Sequence, residues 1–319
     1  MRVVLAAFLG IILLTGCFEK DEPIQPFPRG EVEGISLEVG PKYTHQLYYS
    51  FAQNQVVKSN DRDAWDLAFS CEAGNNTVYM NTGNSMYGAI TDKNMISEVN
   101  DTSGLTFKWD WSNGKDDSTV LYDWENHGKV AVLDLGYTID NQHRGYAKVK
   151  FSVQNDSLLI TYGMIGQRFE RSAILGKDNF YNRVYFSFSS DSKVDIEPVK
   201  TAYDLIFRQY IYYFEVEDLP YSVVGALSNP TNTDVMAISD KDFADITIDD
   251  TLSYSFSEQQ DVIGYDWKEF NIDEGVYVVY PDKNFIIRTA LGFYYKFHFV
   301  DFYNTSGERG YPKVEFKLL

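Results

Sequence analysis

The chain has 319 residues, 44% of them apolar and 16% aromatic, with a formal net charge of −18. So many apolar side chains exclude a disordered chain, and the acidic balance excludes a nucleic-acid partner because it repels phosphate backbones. The 24 Tyr and 22 Phe residues favour strands over helices.

Residues 1–16 are predicted to be a lipoprotein signal peptide. Arg2 supplies a positive charge ahead of an apolar run at residues 3–14, which is too short to span a bilayer as a stable helix. The run ends in LTGC at residues 14–17, which resembles a bacterial lipobox, in which the cysteine is acylated and becomes the first mature residue. Cys17 is therefore the predicted lipidation site. The alternative is an ordinary signal peptide followed by a chance cysteine.

Residues 17–34 are predicted to be a short tether. The run FEKDE that starts directly after Cys17 resembles the surface-export signal of Bacteroidota lipoproteins, and the alternative is a merely polar stretch. Pro23, Pro26 and Pro28 then favour the extended polyproline conformation, which holds a folded part away from the membrane. This organisation predicts an outer-membrane protein that is anchored by lipid and exposed at the cell surface.

The stretch DAWDLAFS at residues 63–70 returns 138 residues later as TAYDLIFR at 201–208. Other pairs keep the same order: YYSF at 48–51 with YFSF at 185–188, YDW at 122–124 with YDW at 265–267, and KVKF at 148–151 with KFHF at 296–299. The shift grows along the chain, as expected when loops gain insertions and elements do not. We infer an internal duplication, with β domains at residues 35–165 and 179–319 and a linker at 166–178.

The apolar residues within each unit alternate as they do in strands. Trp65, Leu67 and Phe69 alternate with other residues, and the aromatic residues at 293–299 do the same. Turn signals such as Ser306-Gly307 separate these runs, and long helical periodicity is hard to find. The predicted fold is all-β, with two tandem duplicated antiparallel domains behind the signal and the proline-rich tether.

The repeated phrase itself is predicted to be structural. Trp65 and Tyr203 are expected on equivalent core strands. Asp66 and Asp204 are expected to accept hydrogen bonds from backbone amides at the edges of those strands.

Motifs of catalysis are absent from the sequence, which has no G-x-S-x-G elbow, no phosphate-binding loop and no dinucleotide fingerprint. The protein is therefore not expected to be an enzyme. The run DWSNGKD at residues 110–116 is similar to a calcium loop, but its glycine stands one place early and Leu121 replaces the bidentate glutamate. A hairpin turn is the predicted structure of this run.

Two groups of segments together resemble a known family. The first group is YSF at 49–51, WDLA at 65–68, NTGNS at 81–85 and GA at 88–89. The second is YKFHFVDFY at 295–303, followed by GERGY at 307–311 and VEF at 314–316. In this order they resemble the opening and the final hairpin of the HmuY-like haem-binding lipoproteins of Bacteroidota.

The resemblance implies a surface lipoprotein that takes up haem, free or from haemoproteins, and passes it to a TonB-dependent outer-membrane receptor. It also implies two axial iron ligands from loops. His127, followed by Gly128, is similar to one ligand position of the family and is the candidate metal ligand. The second ligand has no match in the sequence, and its candidates are Met86, Met95 and His143.

Haem also carries two carboxylates, so a cation is expected near the ligands in such an acidic protein. Lys129 and Arg144 are the candidates in the first unit. The second unit has Phe270 where the first has His127, so it is predicted to be a scaffold.

Two other functions fit the sequence. Trp109, Trp111 and Trp124 are expected to be exposed and, with the many tyrosines, to stack on sugar rings, which predicts a glycan-binding surface lipoprotein. The other is an adhesion or scaffolding module without a small ligand.

Overall fold

The computed structural model of the protein describes residues 30–231 and 233–319. The predicted signal peptide, Cys17 and most of the predicted tether lie outside these residues. No helix in the described part of the chain is both long enough and apolar enough to cross a membrane.

Strands make up most of the regular structure. They are β1 (Glu33–Ser36), β2 (His45–Ser50), β3 (Gln55–Asp61), β4 (Leu67–Ser70), β5 (Val78–Met80), β6 (Tyr87–Ile90), β7 (Ala131–Asp134), β8 (Tyr146–Gln154), β9 (Ser157–Met164), β10 (Arg171–Gly176), β11 (Arg183–Ser187), β12 (Ser192–Val194), β13 (Leu205–Phe214), β14 (Leu219–Ser228), β15 (Asp234–Ile238), β16 (Lys268–Asn271), β17 (Val276–Val279), β18 (Asn284–Arg288), β19 (Tyr294–Tyr303) and β20 (Arg309–Leu318). The helical segments are α1 (Trp124–His127) and 3-10 turns at Thr82–Asn84, Ile96–Glu98, Asp116–Ser118, Phe243–Asp245 and Ile248–Leu252.

These strands form antiparallel sheets. Two sheets have five strands, in the orders β1-β20-β19-β18-β15 and β10-β9-β8-β7-β6. Two have four strands, in the orders β12-β11-β4-β5 and β14-β13-β2-β3, and β16 and β17 form a separate hairpin. Every pairing between these strands is antiparallel, so the predicted all-β antiparallel fold class is confirmed.

The first strands of each half of the chain belong to the sheets of the other half. β1 lies on the edge beside β20, and β2 pairs with β13. In the same way β10 lies beside β9, and β11 pairs with β4. The two copies of the duplicated sequence therefore exchange their opening strands.

Two apolar cores follow this exchange. One core contains residues between Leu67 and Phe188, and the other combines residues 37–51 with residues 205–316. The segment 166–178, predicted to be a linker, contains β10, whose Leu175 is buried in the first core. The division into separately folding domains at this segment stays a prediction, and the packing favours units that combine strands from both sides of it.

The repeated phrase lies where the two halves meet. Trp65 and Tyr203 are both 2% exposed and belong to one apolar cluster. Trp65 meets Tyr185 edge to face with ring centroids 5.0 Å apart, and Tyr203 meets Tyr48 in the same way at 4.9 Å. The two aromatic residues of the phrase therefore have equivalent neighbours.

The two aspartates of the phrase also have equivalent hydrogen bonds. Asp66 Oδ2 accepts from the backbone N–H of Phe188 at 2.7 Å, and Asp204 Oδ2 accepts from that of Phe51 at 2.8 Å. Both carboxylates are buried, so each supplies an acceptor where water does not reach. The phrase occurs twice because two equivalent junctions need the same acceptor.

Candidate functional site

His127 is the last residue of the short helix α1, in the connection that leads into β7. Gly128 ends the helix with a φ of 58°, a left-handed conformation that glycine adopts without strain. This turn allows Nδ1 of His127 to accept a hydrogen bond from the backbone N–H of Lys129 at 2.9 Å. Partial burial lowers the pKa of the imidazole below its ordinary value, so the ring is neutral at pH 7.

The loop after β6 lies beside the residues that follow His127. Lys129 Nζ donates to the backbone oxygen of Asp92 at 3.1 Å and to Asn94 Oδ1 at 3.0 Å, which ties the two segments together. Met95 follows Asn94 and is 58% exposed. The structure therefore brings three predicted site residues, Met95, His127 and Lys129, to the same end of one sheet.

A further lysine joins this end of the sheet. Lys150, on β8, donates from Nζ to the backbone oxygen of Asn94 at 2.6 Å. The side-chain hydrogen bonds of Lys129 and Lys150 thus go to neutral oxygens, and neither lysine forms an ion pair within the described residues. Sequence reasoning missed Lys150 because only the pairing of β7 with β8 places it next to the loop.

His143 lies at the opposite end of β7. Its Nε2 is 2.8 Å from Asp134 Oδ1, and its ring lies between those of Tyr137 and Tyr146, with both centroid distances 5.3 Å. The four residues of β7 separate His143 from His127, which is about 10 Å of strand. The two histidines therefore cannot bind the same iron atom in this structure.

Two other predicted site residues are buried. Met86 is fully buried in an apolar core. Arg144 forms an ion pair with Asp66 through Nη1 and donates from Nη2 to Ser189 Oγ at 3.0 Å, and its side chain is 8% exposed. Neither side chain is available to a ligand in this structure, because core packing and the ion pair already engage them.

The run at residues 110–116 is not arranged as a calcium loop. Asp110 is buried, and its carboxylate accepts from the backbone N–H of Met80 at 2.6 Å and of Val120 at 2.8 Å. A bond from the N–H of Trp111 to the oxygen of Ser118 closes the turn. Within residues 30–231 and 233–319, no group of three or more His, Cys, Asp or Glu side chains is placed to hold a metal ion.

A cleft of about 670 Å³ in the second half was not predicted from the sequence. Residues of β13, β14, β16 and β17 line it together with residues that directly flank β16 and β17 and with Tyr43 and Arg309. Seven of its sixteen lining residues are aromatic: Tyr43, Phe214, Tyr221, Tyr265, Phe270, Tyr277 and Tyr280. Lys268 lies in this aromatic wall and donates from Nζ to the backbone oxygen of Val224 at 2.7 Å. Burial lowers the pKa of Lys268 to about 7. The only sequence signal for the cleft is the density of tyrosines, which strand propensity explains equally well.

The structure separates Trp124 from Trp109 and Trp111, the other two tryptophans considered for sugar binding. Trp124 is 5% exposed and donates from Nε1 to the backbone oxygen of Asn76 at 2.9 Å, so the expectation of an exposed Trp124 is wrong. Trp109 and Trp111 lie with Tyr213 beside a surface cavity of about 620 Å³.

Comparison with known proteins gives the family. The model of the HmuY protein family matches residues 42–316 of this chain. Among solved structures, the apo HmuY analog of Tannerella forsythia is 11% identical, with 92% of this chain and 98% of that chain covered and a TM-score of 0.27. A candidate HmuY-like heme-binding protein of Bacteroides vulgatus is 11% identical, with coverages of 53% and 90% and a TM-score of 0.22.

A candidate lipoprotein of Bacteroides fragilis is also 11% identical, with 89% of both chains covered and a TM-score of 0.23. No curated protein matches the chain. Because the family match extends over most of the sequence, this chain belongs to the HmuY protein family.

Proposed function

We propose that this chain is a haem-binding lipoprotein in which His127 and Met95 would hold the haem iron. Membership of the HmuY family supports the ligand class. The observation that carries the choice of residues is that an exposed thioether and a neutral imidazole lie on adjacent, hydrogen-bonded loops. Met86 and His143, the other candidates for the second ligand, lie in the core and at the far end of β7.

The residues at this end of the sheet fit haem. Imidazole and thioether groups are both ligands of haem iron in proteins. Bound haem supplies the iron and two carboxylates. Lys129 and Lys150 are the cations at this end of the sheet that would form charge-assisted hydrogen bonds with those carboxylates in an otherwise acidic protein.

Iron binding requires His127 to change its hydrogen bonding. A neutral imidazole has one protonated nitrogen and one acceptor, and Nδ1 accepts from Lys129, so the proton lies on Nε2. A ligand nitrogen has to offer a free lone pair. If Nε2 were to hold the iron, the proton would have to lie on Nδ1, and if Nδ1 were to hold it, its lone pair would no longer accept from Lys129. In either case His127 would give up the bond from Lys129.

The proposed setting of this site is the cell surface. Acylation of Cys17 anchors the protein in the outer membrane, and the tether at residues 17–34 holds the folded part away from it. The haem is passed on to a TonB-dependent receptor, and the protein itself performs no catalysis.

A haemin titration followed by absorption spectroscopy tests the proposal. The native protein should give a sharp Soret band with low-spin features, and His127→Ala and Met95→Ala should each lose or shift them. His143→Ala is the matched control, and its spectrum should be unchanged. An unchanged spectrum and affinity in His127→Ala would remove this residue from the mechanism.

The pH dependence of the same titration gives a second readout. Only the neutral imidazole binds iron, so affinity should fall as the pH drops below the pKa of His127. Burial lowers this pKa, so the loss should occur below the ordinary imidazole value of about 6.5.

A further inference from the structure

Three aromatic rings from two distant parts of the chain meet at the surface. Trp109 and Trp111 flank Tyr213 of β13, with ring centroids 5.1 and 5.6 Å from that of the tyrosine. The planes of these two pairs are inclined by 47° and 42°, so the rings form a bent surface. Trp111 is 46% exposed, which leaves much of its indole in contact with water.

Ordinary core packing looks different in this protein. Trp267 stacks on Phe299 with centroids 3.8 Å apart and planes inclined by 9°, and the side chains of both residues are fully buried. The rings around Tyr213 are not stacked in this way, and they are less covered: Trp111 is exposed, while Trp109 is half-buried beside Tyr87. Exposed large aromatic groups of this kind are typical of binding surfaces.

Polar groups border the same surface cavity. Asp218 Oδ1 accepts from the hydroxyl of Tyr213 at 2.5 Å, and Asp117 Oδ1 accepts from Ser118 Oγ at 3.3 Å. The second oxygen of each carboxylate has no hydrogen-bond partner within residues 30–231 and 233–319. Nε1 of Trp109 is a buried donor that likewise has no partner there.

This combination of groups matches the chemistry of a sugar. The C–H faces of a pyranose pack on aromatic rings, and its hydroxyl groups donate to carboxylates and accept from N–H groups. Asp117 and Asp218 outnumber Lys108 in the lining of the cavity, and the whole protein is acidic, so a ligand with carboxylates or sulfates is repelled.

We propose that Trp109, Trp111 and Tyr213 form a binding site for a neutral glycan. None of the residues that line this cavity belongs to the proposed haem site. The two sites therefore act separately, and a surface protein with both attaches to a polysaccharide while it binds haem.

Affinity electrophoresis of the full chain tests this proposal. Native gels contain a soluble β-glucan, an α-mannan or a galactan, and polygalacturonate serves as the acidic control. At least one neutral polysaccharide should retard the native protein, and polygalacturonate should not. Trp111→Ala should weaken the retardation about tenfold, because one open aromatic face is lost.

Phe180→Ala is the matched control, because Phe180 is 66% exposed and does not line this cavity. Its retardation should equal that of the native protein, and Trp111→Phe should recover part of the loss in Trp111→Ala. Haemin titration of Trp111→Ala should be unchanged, so failure of the haem proposal is distinguishable from failure of this one. Migration unaffected by all three neutral polysaccharides, equal retardation of Trp111→Ala, or retardation by polygalacturonate would each overturn the proposal.

Discussion

The two aspartates of the repeated phrase provide a quantitative test of the exchanged architecture. Asp66 and Asp204 accept equivalent backbone hydrogen bonds. Asp66 also forms an ion pair with Arg144, whereas the described part of the chain shows no ion pair for Asp204. Asp66→Ala and Asp204→Ala therefore remove different contacts from equivalent places.

The difference in stability follows from these contacts. Asp204→Ala leaves the N–H of Phe51 without its acceptor, which costs about 1–3 kcal/mol of folding free energy. Asp66→Ala does the same to Phe188 and also leaves the buried guanidinium of Arg144 without its counter-charge, which adds about 3–5 kcal/mol. We therefore expect Asp66→Ala to lower the free energy of unfolding by about 3–5 kcal/mol more than Asp204→Ala does.

Guanidinium denaturation at pH 8 measures the free energy of unfolding of each variant, with tryptophan fluorescence and circular dichroism recorded on the same samples. Burial raises the pKa of Asp204 to about 6, so pH 8 favours its ionised form. Burial also raises the pKa of Asp66, and the ion pair with Arg144 opposes that rise. In Asp66→Ala/Arg144→Met the unpaired charge is gone, and most of the additional loss should be recovered. Asp66→Asn serves if Asp66→Ala is too unstable to purify.

Two results would refute this reasoning. If Asp66→Ala and Asp204→Ala lower the free energy of unfolding by amounts that agree within about 0.5 kcal/mol, the ion pair of Arg144 with Asp66 contributes nothing to stability. A double variant no more stable than Asp66→Ala would mean that the unpaired guanidinium is not the source of the additional loss.

Three further predictions concern other parts of the chain. Burial raises the pKa of Asp110 to about 7 in the folded protein, above its value of about 4 in the unfolded chain. Protonation of Asp110 therefore contributes to stability in full below about pH 4, and this contribution is lost as the pH rises through 7. The melting temperature of Asp110→Asn should therefore fall less steeply between pH 4 and 8 than that of the native protein, and parallel curves would contradict the assignment. A fragment of residues 177–319 lacks β2, the partner of β13, and β4, the partner of β11. It should therefore show no cooperative thermal transition by circular dichroism. A sharp transition would show that the exchange of strands is not needed for folding. Cys17→Ser should leave the membrane fraction in a sedimentation assay because no lipid anchor remains, and continued sedimentation with the outer membrane would rule out the lipobox.

Local pattern was enough to predict the strands and the equivalence of the two halves. Trp65 and Tyr203 have the same neighbours in sequence, and they have equivalent neighbours in the structure. β19 shows the predicted alternation, with Tyr295, Phe297 and Phe299 buried in one core. Period-two patterning predicts these features because it depends on residues close together in the chain.

The exchange of strands was beyond reach for the same reason. The repeat shows that β2 is equivalent to β11 and that β4 is equivalent to β13. By sequence pattern alone, β2 could pair with either β4 or β13. Long-range packing decides between the two pairings. The ion pair of Arg144 with Asp66 joins residues 78 positions apart, so Arg144 was expected at a ligand site. Met86 and Met95 were equally plausible in sequence, and only the fold shows that one is buried and the other exposed.

The pair Trp124 and Trp267 shows how the two halves differ in chemistry. Both tryptophans are buried at equivalent positions, at 5% and 0% exposure. Three residues later the first half has His127, beside a loop to which Lys129 donates a hydrogen bond, and the second has Phe270, in a cleft rich in aromatic residues. The buried frame is thus the same while the residues that face solvent have diverged. Family resemblance rests on the frame, so it does not identify the ligand site, and substitution of His127 is a more direct test of haem binding than substitution of any buried residue that the halves share.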